Sequence, residues 1–230
     1  MEGETRTRGR RAAPGERGPS KAEVSRERVL AAAAGIFSER GYAGATMRDI
    51  ASAAGLQAGS LYYHYPSKEL LIEAVLDSGI HGVSTAVYTA IAALPPSSSY
   101  GERLRAAIVA HLESVLTYGA YASASRHLLA QVPPEVRRKH VTRRDAYSDF
   151  WLQLLEAAQA AGAVRPGLDL RLTRTFILGA LNSALDWYRP DGKSVEELAG
   201  QFIAMIDGGL LTAAAAGPPP QAPPSRSRKR

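Results

Sequence analysis

The sequence predicts an all-α chain of about nine helices, with an N-terminal three-helix bundle leading into a larger helical domain. Two observations carry this. Between residues 21 and 216 apolar side chains recur at helical spacing, and no alternating run of Val, Ile or Thr marks a strand. Glycine and proline clusters interrupt the pattern, and Ser, Thr or Asp stand where helices need N-caps. The two ends differ. Residues 1–20 are rich in Arg, Gly, Pro and Glu without apolar periodicity, and 217–230 run from Gly-Pro-Pro-Pro to Ser-Arg-Ser-Arg-Lys-Arg. Both read as disordered, a basic arm and a basic tail.

The first helix is expected over about 21–40, with Val29, Ala33, Ile36 and Phe37 on one face and Gly41 as its stop. A short helix follows over 46–54, where Thr46 and Asp49 resemble a capping box, and Gly55 ends it. Another covers 57–65 and stops at Pro66. Ser67 then caps a longer helix over 68–89. Pro95-Pro96 with three serines makes a break, and helices are expected at 101–118 and 123–131. Pro133-Pro134 breaks the chain again before a long helix at 135–161. Asp169 caps a helix to Tyr188, and Ser194 with Glu197 forms a capping box for a last helix over 195–215.

Charge and composition narrow the function. The chain has 230 residues and a formal charge of +6. Residues 1–21 hold six basic and three acidic side chains, and 218–230 hold four basic and none acidic, which leaves 22–217 at −1. A near-neutral body with basic ends permits a polyanion partner. Cysteine is absent, which excludes disulfides, thiolate metal sites and cysteine nucleophiles. No uninterrupted apolar run reaches the ~18 residues of a span, and no leader pattern opens the chain. A cytoplasmic protein without a membrane partner is the expectation.

The informative stretch is 46–71. Two short helices joined through Gly55 have the layout of a helix-turn-helix, with Ile50, Ala51, Leu56 and Leu61 as internal pins. Gly55 permits the left-handed turn conformation, and Gly59 is expected to let the second helix approach closely. That second helix would expose Gln57, Ala58, Ser60, Tyr62, Tyr63 and His64, a polar, aromatic and nearly uncharged surface suited to a DNA groove.

Thr46, Ile50, Ala51, Ala54, Gly55, Gly59, Leu61, Tyr62, His64, Lys68 and the Leu70-Leu71 pair together resemble the TetR family of bacterial one-component transcriptional regulators. The resemblance covers about the first third of the chain, and the helical layout beyond it also fits. It implies phosphate contacts from Thr46, Tyr63, His64 and Lys68, and base contacts from Gln57, Ala58, Ser60 and Tyr62. Two positions depart from the family's habit. Gln57 replaces the common Ser or Thr, so it caps less well but offers an amide suited to adenine. Tyr65 replaces Phe and needs a partner for its hydroxyl. The basic arm either enters an adjacent minor groove or is a solvated end.

The boundaries expected are 1–20 for the arm, 21–70 for DNA binding, 71–216 for ligand binding and dimerisation, and 217–230 for the tail. The last helix carries Leu198, Phe202, Met205, Ile206 and Gly209 on one face, and its Gly208-Gly209-Leu210-Leu211 end is apolar nearly all round. It belongs either in a four-helix seam between two copies or inside one copy. The candidate ligand contacts are Arg126, Tyr147, Trp151 and Asn182. Trp151 serves either as core or as cavity wall, and Asn182 meets either a ligand or a neighbouring helix. The stripe Leu172, Phe176, Gly179, Ser183 and Trp187 reads first as core. Arg137, Arg138, Lys139, His140, Arg143 and Arg144 cluster in the first turns of the long helix, as a solvated face or an anion site.

The segment from Trp187 to Gly209 is locally similar to the branch of the family that senses acyl-CoA thioesters. No phosphate loop, nucleophile elbow, dinucleotide fingerprint or metal-ligand spacing is present in the sequence, so no cofactor, metal or catalysis is expected. The reading is a homodimeric, ligand-responsive repressor on a palindromic double-stranded DNA operator. The alternative is a DNA-binding protein without a small effector that works through a protein partner or as an architectural element.

Overall fold

The computed structural model describes residues 21–210. The expected basic arm and tail, and the end of the last helix beyond 210, lie outside the described residues. Among these there are nine helices and no strand: α1 Lys21–Gly44, α2 Met47–Ala53, α3 Ala58–His64, α4 Lys68–Ala92, α5 Tyr100–Thr117, α6 Gly119–Leu128, α7 Pro134–Ala160, α8 Leu170–Trp187 and α9 Val195–Gly209.

The caps explain most boundaries. The Thr46 hydroxyl accepts the Asp49 amide, Ser67 accepts that of Leu70, and Asp169 accepts those of Arg171 and Leu172. Ser194 and Glu197 cap reciprocally, and so do Ser99 and Glu102 ahead of α5. At Thr46 the second arm of the box differs from the expectation. Asp49 accepts the Thr46 hydroxyl at 2.6 Å, and its carboxylate also meets Arg40. Gly41 leaves the helical region at φ 71°, the expected stop, although the chain winds on to Gly44.

One boundary moves. α6 begins at Gly119, four residues before the expected start at 123. No side chain caps it. Tyr118 ends α5 and opens α6 at once with φ −95° and ψ 32°, so the chain turns the corner without a break residue.

Two apolar clusters make up the interior. The first surrounds the helix-turn-helix and contains Val29, Ala33 and Phe37 of α1, Ile50 and Ala51 of α2, and Leu61 of α3. Leu71, Ile72, Val75 and Leu76 of α4 complete it, together with Ala124 and Leu128 of α6, Val132, and Val136 of α7. The pins Ile50, Ala51 and Leu61 are buried, and Leu56 is half-buried against them. The second cluster lies between α4, α5, α7, α8 and α9, with Trp151, Leu155, Leu104 and Ile108 at its centre. Each such aliphatic or aromatic side chain contributes about 1.5–3 kcal/mol by leaving water.

Tyr65 is buried, and its hydroxyl accepts a hydrogen bond from Arg26 Nε at 3.2 Å, the partner a phenol needs there. α4 has the length and mean hydropathy of a membrane span. One face of it packs on protein instead, with Leu71, Ile72, Val75, Leu76, Val83 and Val87 buried, while Leu70 and Tyr88 are exposed. At Gly79, α4 passes so close to α6 that a Cβ would stand 3.2 Å from Tyr121 Cβ and 3.4 Å from its carbonyl oxygen.

Gly55 sits at φ 66° in the turn of the helix-turn-helix, as expected. Gly59 corrects an expectation, since a Cβ there would meet nothing within 4 Å and no packing reason holds the position. Gly55→Ala is therefore expected to cost about 1–2 kcal/mol, because an L residue is forced into the left-handed region. Gly59→Ala should be neutral or stabilise by about 0.5–1 kcal/mol through helix propensity. Thermal melts of the two variants check this, and equal destabilisation by both would overturn the assignment.

Candidate nucleic-acid interface and ligand cavity

α3 is anchored by one side. Leu61 is fully buried, and the helix presents its remaining surface outward. Gln57, Ser60, Tyr62, Tyr63 and His64 are exposed and Ala58 is half-buried. Gln57 is the N-cap residue and makes no side-chain cap bond, which leaves its amide unused by the helix. Tyr63 is 86% exposed and stacks edge-on with His64 at 5.5 Å. A tyrosine so placed stabilises no core.

Two of the expected phosphate contacts have duties inside the protein. The Thr46 hydroxyl caps α2 and donates to Asp49. Lys68 Nζ donates to Tyr42 O at 2.8 Å and Ala45 O at 3.1 Å, and lies 4.5 Å from the centre of the Tyr42 ring. The ammonium thus ties the start of α4 to the end of α1. Two of its three protons are spent, and one remains for a phosphate. Arg48 was not singled out from the sequence. It is exposed on α2 and is the only Lys or Arg between residues 47 and 64, a signal that composition could have given.

The second half encloses a cavity of about 630 Å³. Its wall draws Gly79, Ile80 and Val83 from α4, His111 and Val115 from α5, and Ser125 and Arg126 from α6. His140, Arg144 and Tyr147 of α7 and Arg174, Leu178 and Asn182 of α8 close it. The structure therefore brings Arg126, Tyr147 and Asn182 to one cavity. Trp151 is not among the lining residues. It is fully buried one turn beyond Tyr147, edge-on to the Tyr147 ring at 6.5 Å and to His111 at 5.8 Å. It is a core residue that supports the wall.

A polar relay runs along one wall of the cavity. Tyr147 Oη lies 2.8 Å from His111 Nδ1, and His111 Nε2 lies 3.3 Å from Asn182 Oδ1. Arg126 donates to Asn182 O at 3.2 Å and pairs with Asp186 at 2.8 Å. Burial pushes the Tyr147 phenol up and the His111 imidazole down to about 4. His140 is buried with Nε2 at 2.8 Å from Ser125 Oγ, while its Nδ1 has no partner. Burial first, and then the charges of Arg144 and Arg143, lower its imidazole to about 4. Sequence reading did not single out His111. A histidine in the middle of an apolar α5 face was the available signal.

The basic run of α7 resolves into defined pairs rather than a free anion site. Arg137 donates to Leu129 O and Ala130 O, and Arg138 pairs with Glu135. Lys139 reaches Glu73 at 2.9 Å and Arg143 reaches Asp77 at 2.6 Å, both on α4. Burial lifts the Asp77 carboxyl even with Arg143 beside it. Only His140 and Arg144 of the run turn to the cavity.

The α8 stripe corrects a second expectation. Leu172, Phe176, Gly179 and Trp187 are exposed rather than core, with Phe176 at 71%. Met205 on α9 is 74% exposed, and Ala199 is the only buried residue within α9. A helix pair this apolar leaves one face without a partner inside the chain.

The two buried histidines set a pH dependence. Each is neutral in the folded protein with a value near 4, against 6.5 for the free group, so the unfolded chain takes up their protons first. Stability is complete above pH 6.5 and falls as pH drops toward 4. The loss from His111 alone is about 3 kcal/mol. Melts between pH 7 and pH 4.5 check this, and a melting temperature flat to pH 5 would refute it.

Comparison with known proteins agrees with this architecture. Residues 29–75 match the family model described as bacterial regulatory proteins, tetR family. Residues 97–210 match that described as tetracyclin repressor-like, C-terminal domain. The chain is 31% identical over 194 residues to the HTH-type transcriptional repressor KstR2 of Mycolicibacterium smegmatis, covering 84% of this chain and 93% of that protein. The solved structure of the ketosteroid transcriptional regulator KstR2 of Mycobacterium tuberculosis superposes with a TM-score of 0.71 at 27% identity, covering 81% of this chain and 95% of that one. AibR, solved in complex with isovaleryl coenzyme A and operator DNA, superposes at 0.68 with 27% identity, covering 79% and 97%. An exposed recognition helix, a cavity in the helical second half and these matches across both halves agree, and the chain belongs to the TetR family of bacterial transcriptional regulators.

Proposed function

We propose that the protein is a homodimeric repressor that reads a palindromic DNA operator and releases it when an acyl-CoA thioester fills the cavity. The observation that carries this reading is α6. Its Ala124 and Leu128 are buried in the core of the helix-turn-helix, while Ser125, flanking them, and Arg126, on the far side, line the cavity. One helix is therefore shared by the DNA-reading and ligand-holding halves. Filling the cavity favours whichever arrangement of α6 and α4 it fits better, and only that difference in affinity moves the recognition helices.

On DNA, Gln57, Ala58, Ser60 and Tyr62 take the base contacts, and Thr46, Tyr63, His64 and Lys68 the phosphates, joined by Arg48. Two copies meet through the exposed faces of α8 and α9, which sets the recognition helices about one turn of DNA apart, ~34–36 Å. The protein works where the DNA is, in the cytoplasm, and performs no catalysis. The effector class is supported by the wall itself. Apolar groups from α4 and α8 suit an acyl chain, and phosphates would take Arg126, Arg144 and Arg174 by displacing their partners Asp186, Asp145 and Asp149. AibR, a structural neighbour, was solved with such a thioester and its operator. A cavity of this size also favours a small effector over the reading without one.

A mobility-shift assay on DNA flanking the gene, with and without a panel of acyl-CoA thioesters, tests the reading. Specific binding that one thioester abolishes is the expected result. Binding untouched by the whole panel would remove the effector, and binding without sequence preference at moderate salt would remove the operator. Arg48→Ala should weaken all DNA sequences alike and reduce the salt slope by about 1. Phe176→Glu with Met205→Glu should convert the dimer to a monomer in light scattering and weaken operator binding at least about tenfold. A dimeric double variant would place the seam elsewhere.

A further inference from the structure

Within this cavity lies a polar group whose chemistry is set before any ligand arrives. His111 is buried on α5 between Tyr147 of α7 and Asn182 of α8. A neutral imidazole has one donor and one acceptor nitrogen. Asn182 Oδ1 can only accept, so His111 Nε2 is the donor at 3.3 Å. His111 Nδ1 must then accept, and the Tyr147 hydroxyl donates to it at 2.8 Å. The rings of His111 and Tyr147 lie parallel within 6°, which holds the relay flat. The Asn182 backbone is pinned from the other side, because Arg126 donates to its carbonyl oxygen at 3.2 Å while pairing with Asp186.

The relay therefore consumes the Asn182 carbonyl and leaves its amino group. Among the described residues no hydrogen bond uses Asn182 Nδ2, and Asn182 lines the cavity. Ile80, Val83, Val115 and Leu178 share that wall and offer no acceptor, and none of the wall's oxygen-bearing side chains, Ser125, Ser148, Thr175 or Asp145, bonds that amino group. From this geometry we infer that Asn182 is a specificity-determining residue whose amino group donates to an uncharged carbonyl oxygen on the effector, with His111 and Tyr147 as positioning residues. The class of ligand selected is an apolar molecule bearing a thioester or ketone carbonyl. A ligand with a methylene at that point leaves the amino group dry and unpaired, and is rejected for that reason. The inference rests on the cavity's being the effector site and adds which functional group is read there.

The test uses the full-length protein and a matched pair of probes. One is the aryl ketone dye propionyl-dimethylaminonaphthalene, whose emission moves to the red when its carbonyl accepts a hydrogen bond. The other is its propyl analogue, which lacks only the carbonyl. Wild type should bind the ketone at least about tenfold more tightly than the analogue, and the bound emission should show the hydrogen-bonded band. Asn182→Leu should abolish the preference and the red band while still binding the analogue. Asn182→Asp keeps the shape and replaces the donors with acceptors, so it should lose the preference equally. Tyr147→Phe frees the far end of the relay and should narrow the preference and weaken the red band.

Equal binding of the two probes by wild type, binding of neither, or a preference that survives both Asn182 variants would overturn the inference. The thioester panel decides the effector reading separately. Operator release by a thioester with no ketone preference sinks the carbonyl site alone. A ketone preference with no thioester response sinks the acyl-CoA reading alone.

Discussion

Ala124 and Leu128 of α6 are buried in the same apolar cluster as Phe37 of α1 and Leu61 of α3. The DNA-reading helices cannot complete their core without that helix from the second half. A three-helix bundle with helices of seven residues at α2 and α3 buries little by itself. Leu128, Val132 and Val136 supply the missing wall. Polar contacts follow the same seam, where Ser38 bonds Ser123 at 2.9 Å and the Tyr42 amide donates to Gln131 Oε1 at 3.2 Å. The expected division at residue 70 divides the chain but not the packing. Any shift of α6 large enough to matter at the cavity is felt in the core below Leu61.

α4 is the second shared element, and it is held differently. Its first turn is tied to α1 through Lys68, its middle to α7 through Lys139–Glu73 and Arg143–Asp77. These pairs are partly open to solvent, so each contributes little to stability. Their effect is geometric. They interleave on α7 with His140 and Arg144, which face the cavity, so a rotation of α7 that repositions one set repositions the other. At Gly79 the backbones of α4 and α6 nearly touch, which leaves no slack between the two elements.

Local signals were legible in the sequence. Thr46, Ser67, Asp169 and the Ser194–Glu197 box act within four residues, and each caps the helix expected. Gly55 is dictated by backbone sterics alone and adopts the expected conformation. Long-range facts were not legible. The stripe on α8 is visible as periodicity, but periodicity names a face and not what covers it, so Phe176 turned outward rather than into the core. Lys68 finds its carbonyls 23 and 26 residues away, a distance no motif spans. Trp151 and Tyr147 share one helical face, and only the fold decides that one is core and the other wall. The start of α6 was missed because Tyr118 needs neither a cap nor a break.

The cavity's two histidines are held neutral by burial, His111 by its apolar surroundings and His140 also by the arginines at its back. The charged groups of the wall are paired arginines instead: Arg126 with Asp186, Arg144 with Asp145, which also lines the cavity, and Arg174 with Asp149. Arginine keeps its proton throughout the physiological range. A receptor whose wall carried titrating imidazoles would confuse a rise in acidity with a rise in its signal. Here the two imidazoles stay uncharged through a drift of half a pH unit around neutrality, so the polar pattern of the wall does not change with it. The cavity's shape and hydrogen-bonding pattern are thereby insulated from proton abundance.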